Sequence, residues 1–183
     1  MDPAHAAPAT MAARRPLREA AAHVLPAFVL TLGVDLFLHA GALARYYVRD
    51  IPFLVPPAVA FRRIPAGYLA FLLLTAALYW LVRQADVRGA GRGFRWGAVA
   101  GLTVWGTLLL GLWSITTAPA DLLLAWWVGQ GLELGLAGAV RGAARAGTPL
   151  RRIWTAVAVA VLVLFAATIG LQAAGLAPAV KIP

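Results

Sequence analysis

The stretch GVDLFLHAG, Gly33 to Gly41, places a carboxylate and an imidazole four residues apart inside an otherwise apolar run. Residues at i and i+4 share a helix face, so Asp35 and His39 look the same way. A second apolar run, WWVGQGLELG, sets Gln130 and Glu133 three apart, also on one face. A histidine beside carboxylates suits proton transfer near neutral pH. Asp35, His39 and Glu133 are also oxygen and nitrogen ligands of the kind that zinc or a harder cation takes. The plainer use of such groups is an interhelical tie, with Glu133 protonated or paired with His39, and Asp35 bonded to Gln130 or to a threonine hydroxyl.

Other chemistries are excluded or unsupported. With no cysteine, disulfides, thiolate metal sites and cysteine nucleophiles are ruled out. Three dispersed histidines are too few for a bis-histidine haem bundle. No H-E-x-x-H pattern, P-loop, dinucleotide fingerprint or nucleophile elbow occurs. GAGRG, Gly89 to Gly93, reads as a flexible turn and not as a phosphate cradle, because no strand precedes it. No catalytic residue and no cofactor is assigned from the sequence.

The elements that must position these groups are membrane helices. The 183-residue chain is 62% hydrophobic and only 13% charged, against roughly 25% charged residues in soluble domains. A spanning helix needs about 20 mostly apolar residues, and five such runs lie between arginine clusters, at 24–46, 66–83, 95–117, 121–140 and 153–175. This predicts an all-α integral membrane bundle of five spans. The first run carries ALA at Ala42 to Ala44, which looks like a cleavage site, but it is too long and too polar for a signal core.

Arginine placement gives orientation. With alternating loops, eleven Lys and Arg fall on the side of the N-terminus and five on the other, so the N-terminus is expected to be cytoplasmic and the C-terminus external. The formal charge of +9 therefore reads as topology, and nucleic acid is not expected as a partner. Trp80, Trp96 and Trp154 near inner ends, and Tyr46, Tyr47, Tyr68 and Trp113 near outer ends, read as interfacial belts. The 1–23 tail, rich in Ala and Pro, is expected to be disordered or held by a partner. The 176–183 tail is expected outside.

The external loop 47–65 breaks the charge rule with four arginines counted from Arg45. It reads as a segment lying on the outer surface, with Arg62 and Arg63 meeting lipid phosphates, or as a lid over a pocket. By contrast the third loop, TTAPAD, is a tight hairpin with Asp121 in the first turn of the next helix.

At 1.5 Å per residue, Asp35 and Glu133 should both sit ~16 to 18 Å below the outer boundary, with His39 and Gln130 ~10 to 14 Å below it. Charges at such depth cost at least ~2.5 to 3.5 kcal/mol and must face inward. Thr103, Thr107, Ser114 and Thr117 repeat at helical spacing and are expected to add a matching polar stripe, its hydroxyls bonding across helices or back to their own backbone. Trp105, Trp126 and Trp127 read first as packing or interface anchors, and otherwise as the lining of a ligand cavity there. Small-xxx-small patterns at Gly97 and Gly101, and at Gly131 and Gly135, predict close helix approach, and Gly129 and Gly138 extend the glycine-rich fourth span.

The segments VDLFLHAG, FRRIPAGYLAFLLLTAALYWLV, LWSITTAP and WWVGQGLELGLAGAV, distributed from Val34 to Val140, resemble a group of small bacterial polytopic membrane proteins of unknown function. The resemblance implies a bacterial cytoplasmic-membrane location and carries no activity. The residues themselves point to a membrane unit in which Asp35, His39, Gln130 and Glu133 bind or relay a proton, ion or small ligand. The alternative is an accessory or scaffold subunit of a larger complex, or a homo-oligomer, with a purely structural polar layer. Third comes a metal-dependent intramembrane enzyme.

Overall fold

The computed structural model describes residues 9–49 and 51–178, and they form an all-α bundle. Helix α1 (Ala9–Phe37) runs into a π-helical turn (Leu38–Ala42) and a short α2 (Ala44–Tyr47). Four long helices follow: α3 (Pro57–Gln84), α4 (Ala90–Ile115), α5 (Ala120–Arg145) and α6 (Leu150–Ala173). Five helices, α1 and α3 to α6, are long and apolar enough to cross a membrane. Their outer surfaces carry large apolar side chains such as Leu73, Leu110, Trp113 and Leu162, all more than half exposed, as expected of surfaces that meet lipid.

α5 is the centre of the bundle, packed against α1, α3, α4 and α6. Half of its most apolar window is buried, against 11% for α3 and α4. Glycine makes this possible. A Cβ on Gly97 would overlap the Leu134 carbonyl oxygen and lie 2.8 Å from the Leu134 carbonyl carbon, and a Cβ on Gly138 would overlap the Gly93 carbonyl. The two backbones therefore touch, a contact that only small residues permit. Gly89, at φ +91° ahead of α4, donates its N–H to the Gly142 carbonyl at 2.8 Å and closes the end of the seam. Gly89 to Gly93, expected as a flexible turn, is thus the start of α4 locked onto α5.

Apolar packing fixes the remaining helices. Ala27, Leu78, Val82, Leu134 and Ala137 join α1, α3 and α5. Leu30, Val34 and Leu38 meet Ile153 and Val157 of α6. Leu109, Ala118 and Leu123 close the α4–α5 hairpin, with Phe53 laid against them.

Several boundaries depart from the sequence reading. The helix of the first span begins at Ala9, so residues 9–23 of the expected tail are helical and continuous with α1, while residues 1–8 lie outside the described residues. The second span, expected as the shortest at 66–83, starts nine residues earlier, at Pro57. Pro57 occupies the first helical turn, where its missing N–H costs nothing, and Pro65 is carried inside the helix. Half of the expected loop 47–65 is therefore helical, and Arg62 and Arg63 stand exposed on the first turns of α3. At the other end, Arg141 and Arg145 belong to α5 and not to a loop. Lys181 and most of the 176–183 tail lie outside the described residues.

Candidate functional site

Asp35 stands on α1 and His39 on the π turn that follows it. The wider turn is closed by Leu43 N–H on the Leu38 carbonyl at 2.6 Å. It also leaves the Ala40 carbonyl accepting from Gln172 Nε2 of α6 at 2.9 Å. Single π turns of this kind concentrate at functional sites. His39 Nε2 lies 3.2 Å from Asp35 Oδ1. On the other side of the ring, Nδ1 meets the Tyr47 hydroxyl in a short contact. That hydroxyl also accepts from Trp126 Nε1 of α5 at 2.6 Å.

The donor inventory orders this chain. An indole N–H only donates, so the Tyr47 oxygen accepts it and the phenolic proton is free for His39 Nδ1. A carboxylate facing Nε2 requires a proton on that nitrogen. The neutral ring is therefore the Nε2–H tautomer, with hydrogen bonds running from Trp126 through Tyr47 to His39 and the Asp35 carboxylate facing Nε2 at 3.2 Å. Burial pushes the Tyr47 phenol well above its ordinary pKa, against the opposing pull of the Trp126 hydrogen bond, so it stays a neutral O–H.

Glu133 of α5 completes the cluster. It is fully buried, and among the described residues neither carboxylate oxygen meets hydrogen-bond geometry, the Gln130 side chain being the polar group nearest to acting on it. One ligand atom each from Asp35, His39 and Glu133 lies within 4.8 Å of the others. Gln130, on the same face of α5 and 5% exposed, has an unpartnered amide oxygen. A tetrahedral zinc shell spaces its ligands roughly 3.4 Å apart, so the three groups would draw in by roughly 1 Å to hold such an ion. A proton needs no such contraction.

Three contacts follow the π turn. Arg49, just beyond α2, bonds Asp121 in the first turn of α5 at 2.7 Å. Arg45 donates to the Leu176 carbonyl at 2.9 Å. The Phe53 ring lies 6.4 Å from that of Trp126. Arg45, Arg49 and Phe53 thereby join the described residues after the π turn to α5 and to the residues that follow α6.

Other expected site residues are placed elsewhere. Thr103, Thr107, Ser114 and Thr117 are exposed and do not face the cluster. The glycine face of α4 takes the contact with α5, which turns the hydroxyls outward. Thr107 and Ser114 then bond back to their own helix, at Val104 O and Gly111 O, 2.8 Å each. Nor do the three tryptophans line one cavity. Trp126 reaches Tyr47, Trp127 bonds the Leu102 carbonyl at the surface at 2.7 Å, and Trp105 packs in the hairpin cluster. Tyr47 was expected in the interfacial belt, and its role in the chain had no signal beyond its position eight residues after His39.

No family model matches the chain, and no curated protein or solved structure matches it either. The function is therefore argued from the geometry.

Proposed function

We propose that the protein is a membrane-embedded proton-handling unit whose centre is Glu133 together with the Asp35–His39 pair. The observation that carries this is the fully buried Glu133 carboxyl, without good hydrogen-bond geometry to any described residue, beside a histidine already linked to the Tyr47 hydroxyl. A lone carboxylate in hydrocarbon is costly, so such a centre is built around a compensating cation, of which the proton is the smallest. In the proposed relay, a proton arriving at the Tyr47 oxygen displaces the phenolic proton onto His39 Nδ1. The imidazolium then releases its Nε2 proton to a carboxylate. Asp35 holds the ring in register, Glu133 is the deep acceptor, and Gln130 orients it. The bacterial cytoplasmic membrane, with an internal N-terminus, is the location that the resemblance and the arginine count favour.

Liposomes loaded with a pH-sensitive dye and polarised by a potassium gradient test this. The wild-type protein should admit protons faster than empty vesicles. Glu133→Gln should abolish the difference while remaining helical and monodisperse. Flux that survives the substitution, or is absent from the wild type, overturns the proposal. A stoichiometric metal in the purified protein would reassign the same triad to a bound ion.

A second reading, an accessory subunit of a larger membrane complex or of a homo-oligomer, is favoured by one feature. Thr103, Thr107, Gly111 and Ser114 form an exposed small-residue stripe along α4, the kind of surface on which membrane helices dock. Extraction in mild detergent should then recover a second chain or a second copy.

A further inference from the structure

Away from the acidic cluster, at the end of the bundle where α3 and α5 finish, Arg141 is buried to 1% exposure. Its Nη2 reaches the Thr75 carbonyl at 3.4 Å, and its guanidinium lies 4.8 Å from the centre of the Tyr79 ring. Nε and Nη1 have no partner, and none of the ion pairs among the described residues involves Arg141. A buried arginine is normally matched by a carboxylate or a phosphate, whose geometry its fork of donors fits.

The unused donors border a cavity of about 350 Å³. Its walls include His23 of α1, Tyr79 and Arg83 of α3, and Arg141 and Arg145 of α5. Asp86 is the acid nearest in sequence to this rim, and it is already held by Arg145 and Arg88. Among the described residues the cavity wall therefore presents a positive charge without a counter-charge, on a largely desolvated surface. Its volume falls within the range of small-molecule pockets.

We propose that this cavity binds a phosphate-bearing anion, with Arg141 as its principal ligand and Arg83 at the mouth. The phosphoryl group would take the free Arg141 donors and supply the missing counter-charge. It comes either from an anionic phospholipid headgroup, reached from the bilayer surface, or from a free phosphorylated solute. This site is independent of the proton-handling proposal and shares none of its residues.

The test uses the full-length protein in two settings. In nonionic detergent, Tm is followed against inorganic phosphate, with sodium chloride at matched ionic strength as control. In nanodiscs, phosphatidylcholine alone is compared with phosphatidylcholine containing phosphatidylglycerol. A rise with phosphate assigns a free anion, and a rise only with phosphatidylglycerol assigns a lipid. In either case Arg141→Met, which keeps the unbranched apolar stem and removes the guanidinium, should remove the rise, and Arg83→Gln at the exposed mouth should reduce it. Arg83→Gln also keeps the test open if Arg141→Met fails to fold. No rise in either setting, a rise matched by sodium chloride, or a rise unchanged in both variants overturns the proposal.

Discussion

Tyr47→Phe removes a single oxygen that joins two helices, and its effect can be worked from the contacts. The hydroxyl accepts from Trp126 Nε1 at 2.6 Å and meets His39 Nδ1. Its loss forfeits two hydrogen bonds worth about 0.5–1.5 kcal/mol each and leaves a part-buried indole donor unpaired. Water can reach part of the site, so the expected cost is about 1–3 kcal/mol in a reversible denaturant titration of the purified bundle. The more specific readout is the histidine. With the phenolic proton gone, nothing donates to Nδ1, and the ring loses the contact that completes its Nε2–H tautomer. In ¹⁵N-histidine NMR, with His39 assigned through His39→Gln, the wild type should show an acceptor-type Nδ1 and a donor-type Nε2. Tyr47→Phe should shift the Nδ1 resonance and broaden the tautomer distribution. A stability change under about 0.5 kcal/mol together with an unchanged His39 spectrum would refute the hydrogen-bond order from Trp126 through Tyr47 to His39.

Further outcomes follow from the same geometry. Gly97→Ala forces the α4–α5 seam apart and should cost about 1–3 kcal/mol, while Gly111→Ala, with nothing within 4 Å of its new Cβ, should be neutral or slightly stabilising; equal effects in parallel thermal melts would count against the seam. Glu133→Gln keeps the side-chain shape and drops an unpartnered buried carboxyl, so Tm should hold or rise even where flux is lost, and a large fall would mean that an ion or proton network supports the fold. Hydrogen bonds from Arg145 and then Arg88 hold the Asp86 carboxyl below its ordinary value of 3.8. Such a group stabilises the fold above its unfolded pKa and loses that contribution as pH falls through the lower folded value. The small advantage of wild type over Asp86→Asn should be flat near neutrality and shrink below about pH 4; Asn tolerates the φ of +45° there, so an advantage that persists in acid would point to backbone strain instead.

The spans were legible because membrane thickness writes itself into the chain as runs of about 20 apolar residues. Where the reading failed, packing decided between options that periodicity leaves equal. Along α4 both a glycine row and a hydroxyl row have helical spacing, and the spacing of Thr103 and Thr107 says nothing about which row meets α5. The glycine row wins because backbone contact needs it, whereas hydroxyls satisfy themselves on their own carbonyls. Pro56, Pro57 and Pro65 look like breakers, yet a proline in a first turn starts a helix. Counting Arg141 as a loop charge is reasonable in sequence, since charge counts do not separate an arginine in water from one stacked on Tyr79. Tyr47 was hidden for a geometric reason: the π turn at Leu38–Ala42 slips the helical phase, so face arithmetic started at Asp35 no longer holds eight residues past His39.

α5 carries two burdens on adjacent faces, and the first makes the second possible. Gly131, Gly135, Gly138 and Gly142 let α4 close onto one side, so that α1 and α3 can enclose the other. On that enclosed side Gln130, Glu133, Ala137 and Arg141 are all buried, with an acid and a base eight residues apart and one alanine between them. Eight residues are ~12 Å along the axis. At an effective dielectric of about 20 the two charges feel one another by roughly 1.4 kcal/mol, far less than either needs to offset its own burial in hydrocarbon. They are too distant to serve as each other's counter-ion and too deep to be left alone. On the two proposals, the middle of α5 at Glu133 would take a cation and its last turns at Arg141 an anion, and at ~12 Å apart the two occupancies would affect each other only weakly.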